Sequence, residues 1–450
     1  MQIIMTDQEK ITDLESKLAD ALAKIAELES LLSKSHQKKT SKNSHIPPSV
    51  DLSRKNQSLR EKSDKAVGGQ LGHEGSTLLR SETPDVVVDL RPSYCNSCGK
   101  SLVDGDFELL VRRQVIDLPP IIPIVTDYVC YGTKCSCGQH MKGTFPAGVD
   151  SPLQYGPNVQ AMAIYQNTYQ FMPFKRLQDF FKNVCNLPIS PGTIENIIRR
   201  NAEKARPIYE HLRTLLEDSF YVGADETGFK SGGAKHWFWV WQNAVITYIV
   251  AASTRAKTVI TDTFPTGLLN SILVSDRLAA QLSTPTKGFQ LCIVHLLRDL
   301  TYLIEAEKTQ WAIDFKALLK DAIKLKQAKN QYLENDKELL EIKQRTQELL
   351  KLTTLENKLN DPEKHKQTIV FFSQIVKLKN GLFTFLQHKD IPFDNNASER
   401  AIRNVKVKMK VSGQFKSLQQ EFAILRSVID TATKNGQSVI GAINAIVNTT

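Results

Sequence analysis

Apolar residues recur at alternating three- and four-residue steps between Ile11 and Leu32. Ile11, Leu18, Ile25 and Leu32 share one heptad position, and Leu14, Ala21 and Leu28 share the other. A 3.5-residue period predicts a left-handed coiled coil, and a helix this short needs a partner. The pattern then stops. KSHQKKTSKNSHIPPSVDLSRKNQ is rich in Lys, Ser and Asn around Pro47 and Pro48, which predicts an extended linker. Helical periodicity returns over residues 157–206. FKRLQDFFKNVCNLPISPGTIENIIRR predicts an amphipathic helix, a turn at Asn186–Ser190 and a second helix opened by Pro191 and Thr193. That is a helix-turn-helix outline, a form that reads DNA, although any two packed helices share it.

From Phe220 the period becomes two. SFYVGADETGFK predicts a strand that Asp225 ends or interrupts. In KHWFWVWQNAVITYIVAA, Trp237, Trp239 and Trp241 alternate with Phe238 and Val240, as strands require. A helix over Thr254–Asp262, the strand LNSILVSD and the apolar run FQLCIVHLLRDL follow. The order strand, strand, strand, helix, strand, helix, strand predicts a mixed sheet of the α/β class. Residues 305–390 are Lys- and Leu-rich and predict further helices.

Composition narrows the function classes. The chain has 450 residues, 41% hydrophobic and 24% charged, enough for a sizeable core. No run of about 18 apolar residues predicts a membrane span. MQIIMTDQEK has no basic stretch leading into an apolar run, so no secretory signal is expected. With seven cysteines, the chain is expected in a reducing cytoplasm. The net charge of +10 points to a polyanionic partner.

Five of the cysteines fall within residues 91–147. Cys95 and Cys98 form C-x-x-C-G, and Cys130, Cys135 and Cys137 follow in CYGTKCSCG. Two cysteine pairs on tight turns are what a tetrahedral structural zinc needs, here Cys95, Cys98, Cys135 and Cys137. Cys130 is an alternative ligand and His140 another candidate.

Three acids sit where a mixed sheet brings side chains together. Asp225 lies on the first strand, Asp276 at the end of the fourth, and Glu399 in FDNNASERAIR at a predicted helix start. Converging carboxylates suit Mg²⁺ or Mn²⁺, which take hard oxygen ligands. Each acid also has a plain alternative. Asp225 with Thr227 and Gly228 makes a turn, Asp276 caps the next helix, and Glu399 completes a capping box with Asn396. Arg400, Arg403, Lys406, Lys408, Lys410 and Lys416 follow Glu399 and predict a phosphate-holding face.

ADETG from Ala224, SDR from Ser275, Cys292-x-x-His295 with Arg298, DNNASERAIR from Asp394 and DTATKNG from Asp430 together resemble the insertion-sequence-66 family of bacterial DDE transposases. The resemblance covers nearly the whole chain. It implies an α/β, ribonuclease-H-like catalytic core with a helical insertion, preceded by a coiled coil, a small zinc-binding module and a helical DNA-binding segment. The expected boundaries are 1–36 coiled coil, 37–85 basic linker, 86–150 zinc module, 151–215 helical segment, 216–304 core, 305–390 insertion and 391–450 core with tail. The catalytic triad carries over onto Asp225, Asp276 and Glu399, with Cys292, His295 and Arg298 supporting it. The implied activity cuts transposon ends and joins the 3′-hydroxyl to target DNA. The alternatives are a nuclease of the same fold and a catalytically idle DNA-binding descendant. Implied partners are DNA, a second copy through the coiled coil, and accessory transposition proteins. Two positions depart from the family pattern: the second knuckle is Cys135-x-Cys137, and Gln281 stands where an aromatic often closes the motif after Asp276.

Overall fold

The computed structural model describes residues 12, 15–25, 75, 77–359 and 364–449. A first helix, α1, covers residues 15–25, and Leu18, Leu22 and Ile25 on it are exposed. The expected heptad residues Ile11, Leu14, Leu28 and Leu32, and most of the linker with Pro47 and Pro48, lie outside the described residues. Among the described residues, no helix is long and apolar enough to cross a membrane.

The chain divides into two units, residues 55–123 and the remainder. In the smaller unit the C-x-x-C turn closes on itself. Tyr94 bridges Ser101, and the Gly99 N–H donates to the Cys95 carbonyl at 2.9 Å with Gly99 at φ +72°. In the larger unit a short hairpin, β1 Gly132–Lys134 and β2 His140–Lys142, carries Cys135 and Cys137 in its turn.

Helices α2 Pro157–Ile164, α3 Phe174–Val184 and α4 Pro191–Glu217 come next. The two helices expected around Asn186–Ser190 are therefore present. Ser190 caps α4, its hydroxyl accepting from the Thr193 N–H at 3.1 Å.

Five strands form the sheet: β3 Tyr221–Ser231, β4 Ala234–Gln242, β5 Thr247–Ala252, β6 Leu268–Ser275 and β7 Thr286–Leu291. Their spatial order is β5-β4-β3-β6-β7. The first three pair antiparallel, while β6 and β7 run parallel to β3. Helices α5 Thr258–Thr263 and α6 Ala279–Leu282 make the crossovers. The aromatic alternation on β4 is explained by burial on both faces. Trp239 and Trp241 pack toward α4, whereas Phe238 and Val240 meet the helix α13 Asn396–Ser412 through Ile402 and Val405. Truncating such a tryptophan to alanine costs about 3–5 kcal/mol.

The outer edge of β5 is closed by side chains from α14 Gln419–Lys434, an answer to the edge-strand hazard. The N–H groups of Thr247, Ile249 and Ala251 donate to Thr431 Oγ1, Ser427 Oγ and Gln420 Oε1 at 3.0, 2.8 and 3.3 Å. Lys434 holds the β4–β5 turn through the Asn243 and Ile246 carbonyls at 2.7 and 2.8 Å. The DTATKNG tail thus serves as a strap on the sheet edge. The last helix, α15 Val439–Asn448, packs against α2 and α14.

After β7 come α7 Ile293–Glu307, α8 Gln310–Ala328, α9 Lys337–Leu349, α10 Leu352–Asn357, α11 Lys366–Lys377 and α12 Thr384–Gln387. Trp311, Phe315, Phe372 and Phe385 centre their core, which continues into Ile272, Val274 and Leu291 of the sheet.

Candidate active site

The parallel register of β3 and β6 brings two acids together. Gly223 pairs with Val274, so Asp225 and Asp276 each lie two residues beyond the last paired position. Asp225 neither ends nor interrupts its strand. It pairs with Val240 inside the β3–β4 ladder, which removes the turn alternative. Asp276 follows β6 directly, and its Oδ1 accepts from the Leu278 N–H at 2.8 Å. The expected cap on the next helix does not form: Leu278 is the N-cap of α6 and no side chain caps it, so the Asp276 contact is a local turn. Glu399 stands in the first turn of α13, whose N-cap is Asn395. The capping box does not form. Instead Arg298 and His295 reach the Glu399 Oε1 at 3.6 and 3.8 Å.

A buried polar network fastens α13 to β3 beside Asp225. The Asn395 Nδ2 donates to the Ala224 carbonyl at 2.6 Å. Ser398 donates to Asn395 Oδ1 at 2.6 Å, and Gln242 donates to Ser398 at 3.2 Å. Gly223 makes this approach possible, since a Cβ there would lie 2.6 Å from Gln242 Nε2 and 2.9 Å from Ser398 Oγ. Asp394 shapes the preceding turn by accepting from the Asn396 N–H and side-chain amide at 3.0 and 2.7 Å. Asn395 and Ser398 stand within DNNASERAIR and Gly223 and Gln242 in strand segments, and no local period marks the contact between them.

The electrostatics show that the acids share one field. Burial, then the charges of Glu226, Asp276 and Glu399, push the Asp225 carboxyl well above the usual range. Burial, and secondly the Arg298 charge, lower His295, while Asp276 and Glu399 pull the other way. The His295 Nδ1 is buried without a hydrogen-bond partner among the described residues. Cys292 is fully buried, and burial pushes its thiol up to about 12. Its sulfur accepts from the Asn395 N–H at 3.3 Å, so it supports the DNN turn as a neutral thiol.

Of the expected basic face, Arg400, Arg403, Lys410 and Lys416 are exposed. Lys406 is half-buried, its ammonium lowered by burial against the pull of Asp225 and Glu399. Lys408 departs from the expectation. It is buried, donating to the Asn167 carbonyl and Oδ1 at 2.8 and 3.1 Å, with its ammonium 5.1 Å from the Phe422 ring centre. Helical spacing carries the reason: Lys408 is three residues past Val405 and seven past Ala401, on the stripe that faces the core. On α4, Arg199, Arg206 and Arg213 pair with Glu195, Glu203 and Glu217.

Hard oxygen donors of this kind match Mg²⁺ or Mn²⁺. Among the described residues, however, no group of three His, Cys, Asp or Glu side chains stands close enough to hold a metal ion. The knuckle thiols associate in twos. Hydrogen bonds from Cys98 lower Cys95, and hydrogen bonds from Cys137 lower Cys135. Cys130 turns to the Gly143 carbonyl at 3.1 Å, and His140 is exposed on β2.

The family model described as Transposase IS66 family matches residues 152–421, more than half of the chain, and spans all three acids. No curated protein matches the chain. The family match and the order of motifs agree, and the chain belongs to the IS66 family of transposases.

Proposed function

We propose that the protein is a DDE transposase that cuts transposon ends and joins the freed 3′-hydroxyl to target DNA. The observation that supports this reading is that Asp225 and Asp276 follow neighbouring parallel strand pairs, each two residues past the last one, with Glu399 on the helix packed against β3. Three antiparallel strands followed by two parallel ones support reading the sheet as a ribonuclease-H-like core.

Asp225, Asp276 and Glu399 would hold Mg²⁺ or Mn²⁺. When bound, the metal supplies Lewis-acid stabilisation of the charge on the attacking and leaving oxygens. The chain's own residues do the rest. Arg298 and His295 orient the Glu399 carboxylate, and the Asn395 network fixes its helix against Asp225. Lys406 faces the acids and would neutralise the phosphate undergoing attack. Arg400, Arg403 and Lys410 would track the flanking backbone, and the α3–α4 helix pair would contact DNA near the ends. In the first step a water oxygen would bond to phosphorus as the P–O3′ bond breaks, leaving a 5′-phosphate and a free 3′-hydroxyl. In the second, that hydroxyl forms a new P–O bond as the target strand breaks.

The thiol pairs Cys95 with Cys98 and Cys135 with Cys137, each on its own glycine turn, are of the chemistry that takes zinc. The N-terminal heptads would join two copies, the setting is cytoplasmic, and accessory transposition proteins are expected.

The test is an assay that offers the protein a pre-cut end and a supercoiled plasmid in Mg²⁺. The reading predicts joined product. Cleavage of uncut ends with no joining under any metal condition would point to the nuclease instead.

A further inference from the structure

Glu226 follows Asp225 on β3 and, by strand alternation, points to the opposite face, across from Trp239. Its side chain is 4% exposed. Arg255 donates to its Oε1 through Nε at 2.9 Å, with the guanidinium NH2 on the same oxygen. Gln281 donates to its Oε2 at 2.8 Å. Gln281 belongs to α6, the short helix that starts three residues after Asp276, and the Asp276 Oδ1 accepts from the Leu278 N–H just before it. It is buried, and its own Oε1 has no hydrogen-bond partner among the described residues.

The backbone ladder between β3 and β6 ends at Gly223 and Val274. Asp225 and Asp276 lie beyond it, where no strand pairing sets their separation. The Glu226–Gln281 hydrogen bond crosses that gap, joining the residue after Asp225 to the short helix after Asp276. A carboxylate this buried is expensive to desolvate, and the amide that meets it leaves its own oxygen unpaired. Such an arrangement suits a geometric constraint better than a purely stabilising one.

We propose that Glu226, through Gln281, is a positioning residue that sets the spacing of Asp225 and Asp276, and with it the divalent-cation affinity of the site. The proposal rests on reading those two aspartates as metal-holding, and the experiment separates the two claims. Mn²⁺ binding to the full-length chain is followed by electron paramagnetic resonance, alongside thermal unfolding without metal. Gln281→Ala and Glu226→Ala should weaken Mn²⁺ binding about tenfold, the range of outer-shell partners. Glu226→Gln keeps an acceptor for Gln281 and should stay within about threefold of the parent. Gln281→Met keeps the buried volume, removes the donor and should weaken binding likewise, which keeps the test valid if an alanine variant folds poorly. Unchanged affinity in Gln281→Ala, or Glu226→Gln as weak as Glu226→Ala, overturns the clamp, provided Asp225→Asn and Asp276→Asn abolish binding. If those two aspartate variants still bind Mn²⁺ normally, the metal reading itself falls and the clamp falls with it.

Discussion

Asn395 reaches across from the helix that carries Glu399 to the carbonyl of Ala224, the residue before Asp225, at 2.6 Å. One side chain therefore couples the two halves of the acid site. Asn395→Ala strands the Ala224 carbonyl and Ser398 in a buried setting. A loss of about 2 kcal/mol is expected in urea unfolding, with a larger proportional loss of DNA-end cleavage. Unfolding and cleavage both at parental values would show the bridge to be incidental.

Gly223 tests the same contact from the strand side. In Gly223→Ala the new methyl meets Gln242 and Ser398, so α13 must move away from β3. About 1–3 kcal/mol of destabilisation should appear in the denaturation midpoint, together with loss of cleavage.

Lys408 gives a pH prediction. Burial brings its ammonium down to about 7 in the folded chain, whereas an unfolded lysine holds its proton to about 10.4. Between those values the unfolded state binds more protons, so stability rises with pH from about 7 to about 10.4. Lys434 is lowered to about 8, also by burial, and adds to the same slope. Lys408→Met should flatten the slope by up to about 1.4 kcal/mol per pH unit and leave DNA affinity intact. An unchanged slope would contradict the buried placement.

The exposed cations should behave oppositely. Arg403→Ala and Lys410→Ala should leave unfolding nearly unchanged and weaken DNA binding across sequences. Each should reduce the slope of log affinity against log salt by roughly one, as loss of a phosphate contact requires. Affinity measured from low to moderate salt decides it.

Legibility in the sequence followed the range of the interactions. Asp276 at a strand end, Glu399 at a helix start and the two-faced burial of β4 were all written in local period. The course of β3 was not, because its second half, DETGFKS, is polar and is held by the antiparallel ladder to β4. Lys408 was readable in principle, since its spacing from Ala401 and Val405 marks the buried stripe, but a run of lysines resembles a solvated face. Gly223, Gln242 and Asn395 meet only after folding, and no local pattern announces them. The role of DTATKNG was hidden for the same reason: Thr431 and Lys434 act on a strand nearly two hundred residues earlier.

The most direct test is Glu399→Gln, which keeps the side chain's shape and removes its charge. Cleavage of a DNA duplex carrying the transposon end is measured in Mg²⁺, with binding of the same duplex as the control. Binding should persist, and cleavage should fall by about a hundred- to a thousandfold, the scale of losing an electrostatic group at the reacting centre. Cleavage at the parental rate would contradict the assignment of Asp225, Asp276 and Glu399 as the catalytic acids.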